Sequence, residues 1–266
     1  MRLDPSYPVA PERLGDGELA SWLADQAGSM LLRLRSEMSF ADPEALRAAG
    51  DRRSHELLMT ELARWRPDDA VLSEEGQPVG TDRTAAARVW IVDPLDGTRE
   101  FSEAGRTDWA VHVALWTADS TAAGQLAAGA VALPARHSTL SSEWPPKVPA
   151  DRGGGPPRLV ASRTRAPEFL TQVARRIDAE LVPMGSAGAK VAAVITGTVD
   201  AYIHAGGQYE WDSAAPVAVA CAAGLHASRL DGSPLSYNHE NPWLPDLLVC
   251  RPELADRLLS VLGGLI

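Results

Sequence analysis

A chain of 266 residues with 45% hydrophobic content can build one large domain or two of ordinary size, and its apolar side chains suffice for a packed core, which excludes a disordered protein. The 35 acidic residues outnumber the 25 basic ones for a formal net charge of -10, which excludes a nucleic-acid groove because a phosphate backbone demands a basic face. A small anionic substrate remains compatible, provided that metal ions and a few local cations neutralise it.

Taken in chain order, the opening Met-Arg-Leu-Asp-Pro-Ser-Tyr-Pro lacks the apolar core of a leader, and no window approaches the roughly 18 apolar residues of a membrane span, so a soluble cytoplasmic protein is expected. From Asp16, the positions Leu19, Trp22, Leu23, Ala27, Met30, Leu31 and Leu34 recur at helical spacing. A second helix is predicted over 54–65, through Leu57, Leu58 and Leu62, stopped by Pro67. The runs 89–92, 110–116 and 127–133 are short, apolar or alternating, and bounded by turn residues, as strands are. Punctuation is strongest over 143–157, with Pro-Pro, Gly-Gly-Gly and Pro-Pro, and we place a boundary or loop there between an N-terminal domain, 1–150, and a C-terminal domain, 151–266.

Beyond it the pattern alternates: strand 158–161, helix 166–178, strand 180–183, helix 187–196, strand 199–204, helix 213–223, and a last helix over 252–262 with Pro252 at its first turn. This is an α+β chain with an α/β second half. Cys221 and Cys250 lack zinc or redox spacing and read as buried thiols in a reducing compartment.

The chemistry concentrates in Asp93-Pro-Leu-Asp-Gly-Thr98, where two carboxylates stand three residues apart at the end of a strand. Alone, this hexapeptide also suits an Asx turn. Glu74, in Leu-Ser-Glu-Glu-Gly, and Asp212, in Trp-Asp-Ser-Ala-Ala, add hard oxygen donors from separate segments, and carboxylates on several loops are what magnesium needs. Asp93 can bridge two ions, with Glu74 and the Leu95 carbonyl completing one site and Asp96 and Asp212 the other. Two ions about 3.5 to 4 Å apart suit in-line displacement at phosphorus. Thr98 can orient the attacking water, Glu74 or Asp51 can accept its proton, and the Gly97 and Thr98 amides can cradle phosphate. A covalent aspartyl mechanism is excluded, because haloacid-dehalogenase-type phosphatases need carboxylates two residues apart. An EF-hand is excluded by the absence of its alternating ligands.

These segments, with Trp-Ile-Val-Asp-Pro-Leu-Asp-Gly-Thr up to Thr98 and Trp-Asp-Ser-Ala-Ala-Pro from Trp211, resemble the lithium-sensitive, magnesium-dependent phosphatases of the inositol monophosphatase superfamily. The resemblance implies a layered αβαβα sandwich of the inositol monophosphatase and fructose-1,6-bisphosphatase type. It also implies two or three Mg2+ ions on Glu74, Asp93, Leu95, Asp96 and Asp212, inhibition by Li+, a catalytic Thr98 supported by Asp51 ahead of the second helix, and a homodimer. Thr98-Arg-Glu-Phe101 is closer to the 3′(2′),5′-bisphosphate nucleotidases of the mycobacterial type than to inositol monophosphatases proper. So are Ser162-Arg163 and Gly185-Ser186 followed by Lys190. The implied substrate is adenosine 3′,5′-bisphosphate or its 5′-phosphosulfate counterpart in sulfate assimilation, met by Asp96, Gly97, Thr98, Arg99, Ser162, Gly185, Ser186, Lys190, His204 and Asp212.

Two departures stand out. Tyr202-Ile-His204-Ala205 carries no carboxylate where inositol monophosphatases have a sugar-binding Glu, and the usual Lys-x-Asp-x-Ser-Pro-Val-Thr ahead of Asp51 is absent. Lys190 also reads as a solvated helix charge, Arg99 as half of a structural ion pair, and His204 as a satisfied strand-end histidine. Tyr237, Asn238 and Asn241 suit either a base contact or a turn, and most tryptophans suit the core. Inositol 1-phosphate and fructose 1,6-bisphosphate are rival substrates, and a non-catalytic phosphometabolite sensor is the rival class.

Overall fold

Long helices at 16–38 and 43–65 precede every strand of the computed structural model, which describes residues 11–76, 83–119, 124–150, 155–163 and 168–265. The opening segment read for a leader lies outside them. Helix α1 (Asp16–Met38) buries Leu19, Trp22, Leu23, Ala27, Leu31 and Leu34 along one face, and Glu18 accepts a hydrogen bond from the Gly15 N–H at 2.9 Å. Helix α2 (Pro43–Trp65) begins eleven residues before the predicted 54–65. Its start is a polar cap followed by proline: Asp42 accepts from the Ala45 N–H at 3.0 Å and Pro43 occupies the first turn. Asp51, expected ahead of this helix, therefore lies inside it.

Strands β1 (Ala70–Ser73), β2 (Arg88–Asp96), β3 (Ala110–Thr117), β4 (Gln125–Leu133) and β5 (Ser138–Ser141) form one sheet in that order, with a short helix α3 (Thr98–Phe101) after β2. β1 runs parallel to β2 and the remaining pairs are antiparallel. β2 was predicted to end at Val92, but the strand carries on through both aspartates. The second half contributes β6 (Arg158–Ser162), α4 (Glu168–Ile177), β7 (Glu180–Met184), α5 (Ala187–Ile195), β8 (Ala201–Tyr209), α6 (Glu210–Ala222), β9 (His226–Ser228), β10 (Trp243–Cys250) and α7 (Pro252–Leu262). Its sheet runs β7-β6-β8-β10-β9, parallel around β6 and antiparallel around β10. The first two residues of the predicted helix 166–178 lie outside the described residues.

Alternation along β2 shows how the layers are glued. Trp90 and Val92 pack with α1 and α2, whereas Val89 and Ile91 point the other way into a core that also holds Val160, Tyr202 and Val249 of the second sheet. A strand buried on both faces reads as an unbroken apolar run, which is why 89–92 looked like one. Helices α5 and α6 fill the space between the sheets, and α4 and α7 cover the far face with Leu170, Val173, Leu258 and Leu262 against Leu159, Ile203 and Leu248. The result is five layers, αβαβα. The two halves divided at 143–157 each supply one sheet and share the middle core.

Buried tryptophans include Trp22, Trp90, Trp109 and Trp116, but Trp144 and Trp243 are 59% and 48% exposed, so these two do not belong to the core. Cys250 is buried in β10, whereas Cys221, expected to be buried as well, is exposed in the last turn of α6. No helix among the described residues is long and apolar enough to cross a membrane.

Asp200 ties the second sheet together. It accepts from the Arg158 backbone N–H at 2.8 Å and from its guanidinium at 3.1 Å, with Arg251 Nε 3.6 Å away. Arg251 in turn donates to the Pro149 carbonyl at 2.7 and 2.9 Å, which anchors the described start of the 143–157 segment; residues 151–154 lie outside the described ones. Burial pushes the Asp200 carboxyl up, but these hydrogen bonds and charges outweigh it and hold it below its ordinary 3.8. A carboxyl depressed on folding stabilises above its unfolded pKa and loses that contribution as pH falls through the folded one. Asp200→Asn should therefore cost about 1–3 kcal/mol at neutral pH, with the gap from the parent protein closing as pH falls below the ordinary carboxylate value; denaturant melts across pH 3 to 7 check this.

Candidate metal centre and substrate pocket

In a regular strand, residues three apart point to opposite faces. Asp93 pairs with His112 and Asp96 with Ala110, so three steps along β2 match two along β3. The extra residue is a bulge, and it turns both carboxylates to the same side. The Asx turn anticipated as an alternative is present too: Asp93 Oδ1 accepts from the Leu95 N–H at 3.0 Å. Ser54 of α2 donates to the Pro94 carbonyl at 2.6 Å, satisfying a group that the bulge takes out of the ladder. Gly97 then adopts φ +84°, left-handed backbone in which a side chain would be strained, with the Asp108 carbonyl 3.2 Å from any added Cβ.

Glu74 arrives from the turn after β1, whose parallel pairing sets Ser73 beside Val92. Asp212 arrives from the first turn of α6, where it accepts from the Tyr209 N–H at 2.6 Å. Oxygens of Asp93, Asp96 and Asp212 lie within 4.8 Å of one another, and Glu74 shares a hydrogen bond with Asp93. Burial and the surrounding negative charges push Asp93 well above the ordinary carboxylate range, Glu74 up to about 7 and Asp212 up to about 6. Four acids crowded in low dielectric are costly unless protons or cations intervene. Hard oxygen donors in this number suit magnesium, so the residues present fit the ions expected from the sequence.

Asp96 behaves differently. Burial works against its charge, yet His112, Ser186 and the Gly188 N–H hold its pKa at about 2. Ser186 Oγ and the Gly188 N–H donate to Oδ2 at 2.6 Å, and the Ala187 N–H donates to Oδ1 at 3.1 Å. His112, fully buried on β3, donates Nδ1–H to the Trp211 carbonyl at 3.0 Å and places Nε2 3.1 Å from Asp96 Oδ2, out of line for a hydrogen bond. Sequence reading missed this histidine, because an apolar run such as 110–116 gives no sign of which interior position faces a carboxylate.

Gly50 in α2 sits against Leu95 and Phe101, where a Cβ would come within 2.8 Å of either side chain. This close approach sets Asp51 beside Thr98, whose hydroxyl lies between the Asp51 carboxylate and the Leu95 carbonyl, 3.2 Å from the latter. Burial, then the neighbouring Glu75 charge, lift Asp51 to about 6.

The predicted substrate residues line two adjoining cavities. One, of about 360 Å³, is bounded by Asp96, Ser162, Ser186, Lys190, His204 and Asp212, with Tyr202, Gln208, Tyr209 and Trp243. The other, of about 270 Å³, is bounded by Gly97, Thr98, Arg99, Gly185 and again Ser162, Ser186 and Lys190. Lys190 is not the solvated charge that helix periodicity suggested: it is 7% exposed, with Nζ 5.2 Å from the Tyr202 ring centroid, and desolvation pulls its pKa down against the pull of Asp96. The expected ion pair at 99 belongs instead to Glu100, which is buried and bound by Arg163 at 2.8 Å, while Arg99 is exposed at the rim. His204 engages the Gly207 carbonyl through Nε2 at 2.8 Å. Tyr237, Asn238 and Asn241 are engaged within the protein: the Asn238 side chain accepts from Arg83 and its N–H donates to Glu210, Tyr237 is buried against Ser213, and Asn241 accepts from the Trp243 N–H.

Comparison with known proteins places this architecture. The chain is 52% identical to the 3′-phosphoadenosine 5′-phosphate phosphatase of Mycobacterium leprae over 94% of each protein. It is 30% identical to the 3′(2′),5′-bisphosphate nucleotidase CysQ of Escherichia coli K12, over 84% of this chain and 94% of the relative. Among solved structures, inositol monophosphatase-II of Staphylococcus aureus shares the fold with a TM-score of 0.75 at 21% identity, covering 91% of both chains. SuhB of Mycobacterium tuberculosis does so with a TM-score of 0.71 at 23% identity, covering 93% of this chain and 95% of its own. The model of the inositol monophosphatase family matches residues 22–145 and 157–262, and the chain belongs to that family.

Proposed function

We propose that the chain removes the 3′-phosphate of adenosine 3′,5′-bisphosphate, leaving AMP and phosphate, and acts likewise on the 5′-phosphosulfate analogue. The observation that carries this reading is a buried carboxylate cluster opening onto a cavity that also holds a buried lysine. The half-identity, over nearly the whole chain, to a phosphatase named for that nucleotide supports the choice of substrate.

Glu74, Asp93, the Leu95 carbonyl, Asp96 and Asp212 would hold two magnesium ions, with Asp51 beside a third position. When bound, magnesium supplies positive charge to the phosphoryl oxygens and lowers the pKa of water. Thr98, whose hydroxyl lies between Leu95 and Asp51, would hold the attacking water. The water oxygen bonds to phosphorus as the bond from phosphorus to O3′ breaks, and its proton passes through Thr98 to Asp51, or to Glu74. An acceptor lifted to about 6 is matched to work near neutral pH. O3′ leaves as a hydroxyl with a proton from solvent. Lys190 offers a desolvated point charge to the second phosphate.

Three outcomes are expected. Asp93→Asn should lower kcat by about 10²- to 10³-fold and abolish the rise in melting temperature caused by magnesium. Without the metal it should melt no lower than the parent, because one crowded carboxyl has become neutral; calorimetry with and without Mg2+ separates the two effects, and retained stabilisation by magnesium would refute the ligand assignment. Lys190→Ala should chiefly raise KM, by about 10-fold or more, the loss of a charge-assisted hydrogen bond. Phosphate release should favour adenosine 3′,5′-bisphosphate over inositol 1-phosphate and fructose 1,6-bisphosphate by about 10²-fold or more in kcat/KM, require Mg2+ and fall with Li+; a preference for inositol 1-phosphate would replace the nucleotide with the sugar phosphate.

A further inference from the structure

Strand β3 reads Ala-Val-His-Val-Ala-Leu-Trp-Thr, and its one titratable side chain, His112, is fully buried. Alternation turns Val111 and Val113 toward α1 and α2 and sends Ala110 and Ala114 into the middle core, so His112 belongs to the middle layer. An imidazole is costly in an apolar layer unless its nitrogens are used.

The ring reaches three elements that carry the carboxylates or close around them. Its Nδ1–H donates to the carbonyl of Trp211, the residue before Asp212 in α6, at 3.0 Å. Nε2 stands 3.1 Å from Asp96 Oδ2 and makes no hydrogen bond of its own. Nδ1 is also 4.0 Å from Oδ2 of Asp93, the cross-strand neighbour on β2. Room for the ring comes from α5, where a Cβ on Gly188 would collide with Nε2. Gly188 lies in the first turn of that helix without a positive φ, so the path of the backbone does not call for glycine there; the ring does. The same glycine gives its N–H to Asp96 Oδ2 at 2.6 Å, which brings carboxylate, ring and helix backbone into mutual contact.

Asp93 and Asp96 come from the first sheet and Asp212 from α6, and no ladder of backbone hydrogen bonds joins β2 to α6. The spacing of these donors is therefore set by the side chains packed between them. Magnesium demands near-ideal octahedral geometry, so that spacing bears directly on affinity. Groups that orient metal ligands without binding the metal typically change affinity by about 10- to 100-fold when replaced.

We infer that His112 is a positioning residue for the metal centre: its ring is the spacer that sets Asp96 on β2 against Asp212 on α6. This rests on the ligand assignment proposed above and adds to it a residue that bounds neither substrate cavity.

Magnesium binding, measured by titration calorimetry without substrate, tests the assignment. His112→Leu roughly keeps the volume and removes both nitrogens, and it should weaken Mg2+ binding by about 10- to 100-fold. His112→Asn keeps an N–H near the Nδ1 position and should recover most of the loss. Gly188→Ala drives the ring from its place and should weaken Mg2+ as well. Added to His112→Asn, which has no atom at the Nε2 position, it should do little more, the non-additivity expected of groups in contact. At saturating magnesium, KM of His112→Leu for adenosine 3′,5′-bisphosphate should stay near that of the parent. A His112→Leu enzyme that binds Mg2+ as the parent does, even one that melts lower without the metal, overturns the positioning role and leaves the ligand assignment standing. A parent enzyme that takes up no Mg2+ overturns both. If His112→Leu does not fold, Gly188→Ala decides: undiminished Mg2+ affinity there overturns the proposal.

Discussion

The extra residue in β2 is the constraint on which the rest depends. Without it, Asp93 and Asp96 would face opposite layers of the sandwich, and one of them would be driven into the apolar core shared by α1 and α2. With it, two carboxylates reach a single point from one strand, and a third and fourth need only come from the neighbouring turn and from α6. The bulge costs ladder hydrogen bonds, and the structure replaces them locally: Asp93 takes the Leu95 N–H and Ser54 reaches across from α2 to Pro94. Helix α2 is therefore more than a cover for the sheet. It holds the irregular stretch in place and, through the close approach at Gly50, sets Asp51 against Thr98.

Electrostatics divides the cluster into two parts. Asp93, Glu74 and Asp212 are lifted by burial and mutual repulsion, so their charged forms are costly unless a cation offsets them. Asp96 stays charged, because α5 turns the N–H groups of Ala187 and Gly188 and the hydroxyl of Ser186 toward it, and His112 adds a nearby ring. Ser186 adopts φ 52° to do this while also capping α5 through the Ala189 N–H. Asp96 thus ties the two layers together: β2 belongs to one sheet, and α5 fills the gap before the other.

What was legible in the sequence follows from what is local. The order Glu74, Asp93, Leu95, Asp96, Thr98, Asp212 could be read because each lies in a short segment with its own turn or cap signature. So could the amphipathic α1 and the alternation of the second half. The start of α2 was missed although Asp42-Pro43 is a fair cap signal, because between Leu46 and Leu58 the helix buries only small residues, Ala49, Gly50 and Ser54. β1, at four residues, offers too short a pattern, and β10 is interrupted by Pro245. For Lys190 the sequence left a surface charge and a phosphate contact both open, since periodicity shows one helix and not the Tyr202 ring of the second sheet that lies against it.

The placement of α6 has a consequence for how the molecule comes to exist. This helix lies between the sheets, touches β2, β3 and β4 on one side and β8 and β10 on the other, and carries Asp212 on its first turn. Neither sheet alone can assemble the carboxylate cluster. During synthesis, the segment from Glu74 to Thr98 emerges long before residue 212, and the strand that flanks β8, at 243–250, later still. A growing chain therefore displays at most part of the acidic set, without the closing helix that crowds it. Completion of the carboxylate cluster is thereby a late event, reserved for molecules whose two halves have already docked.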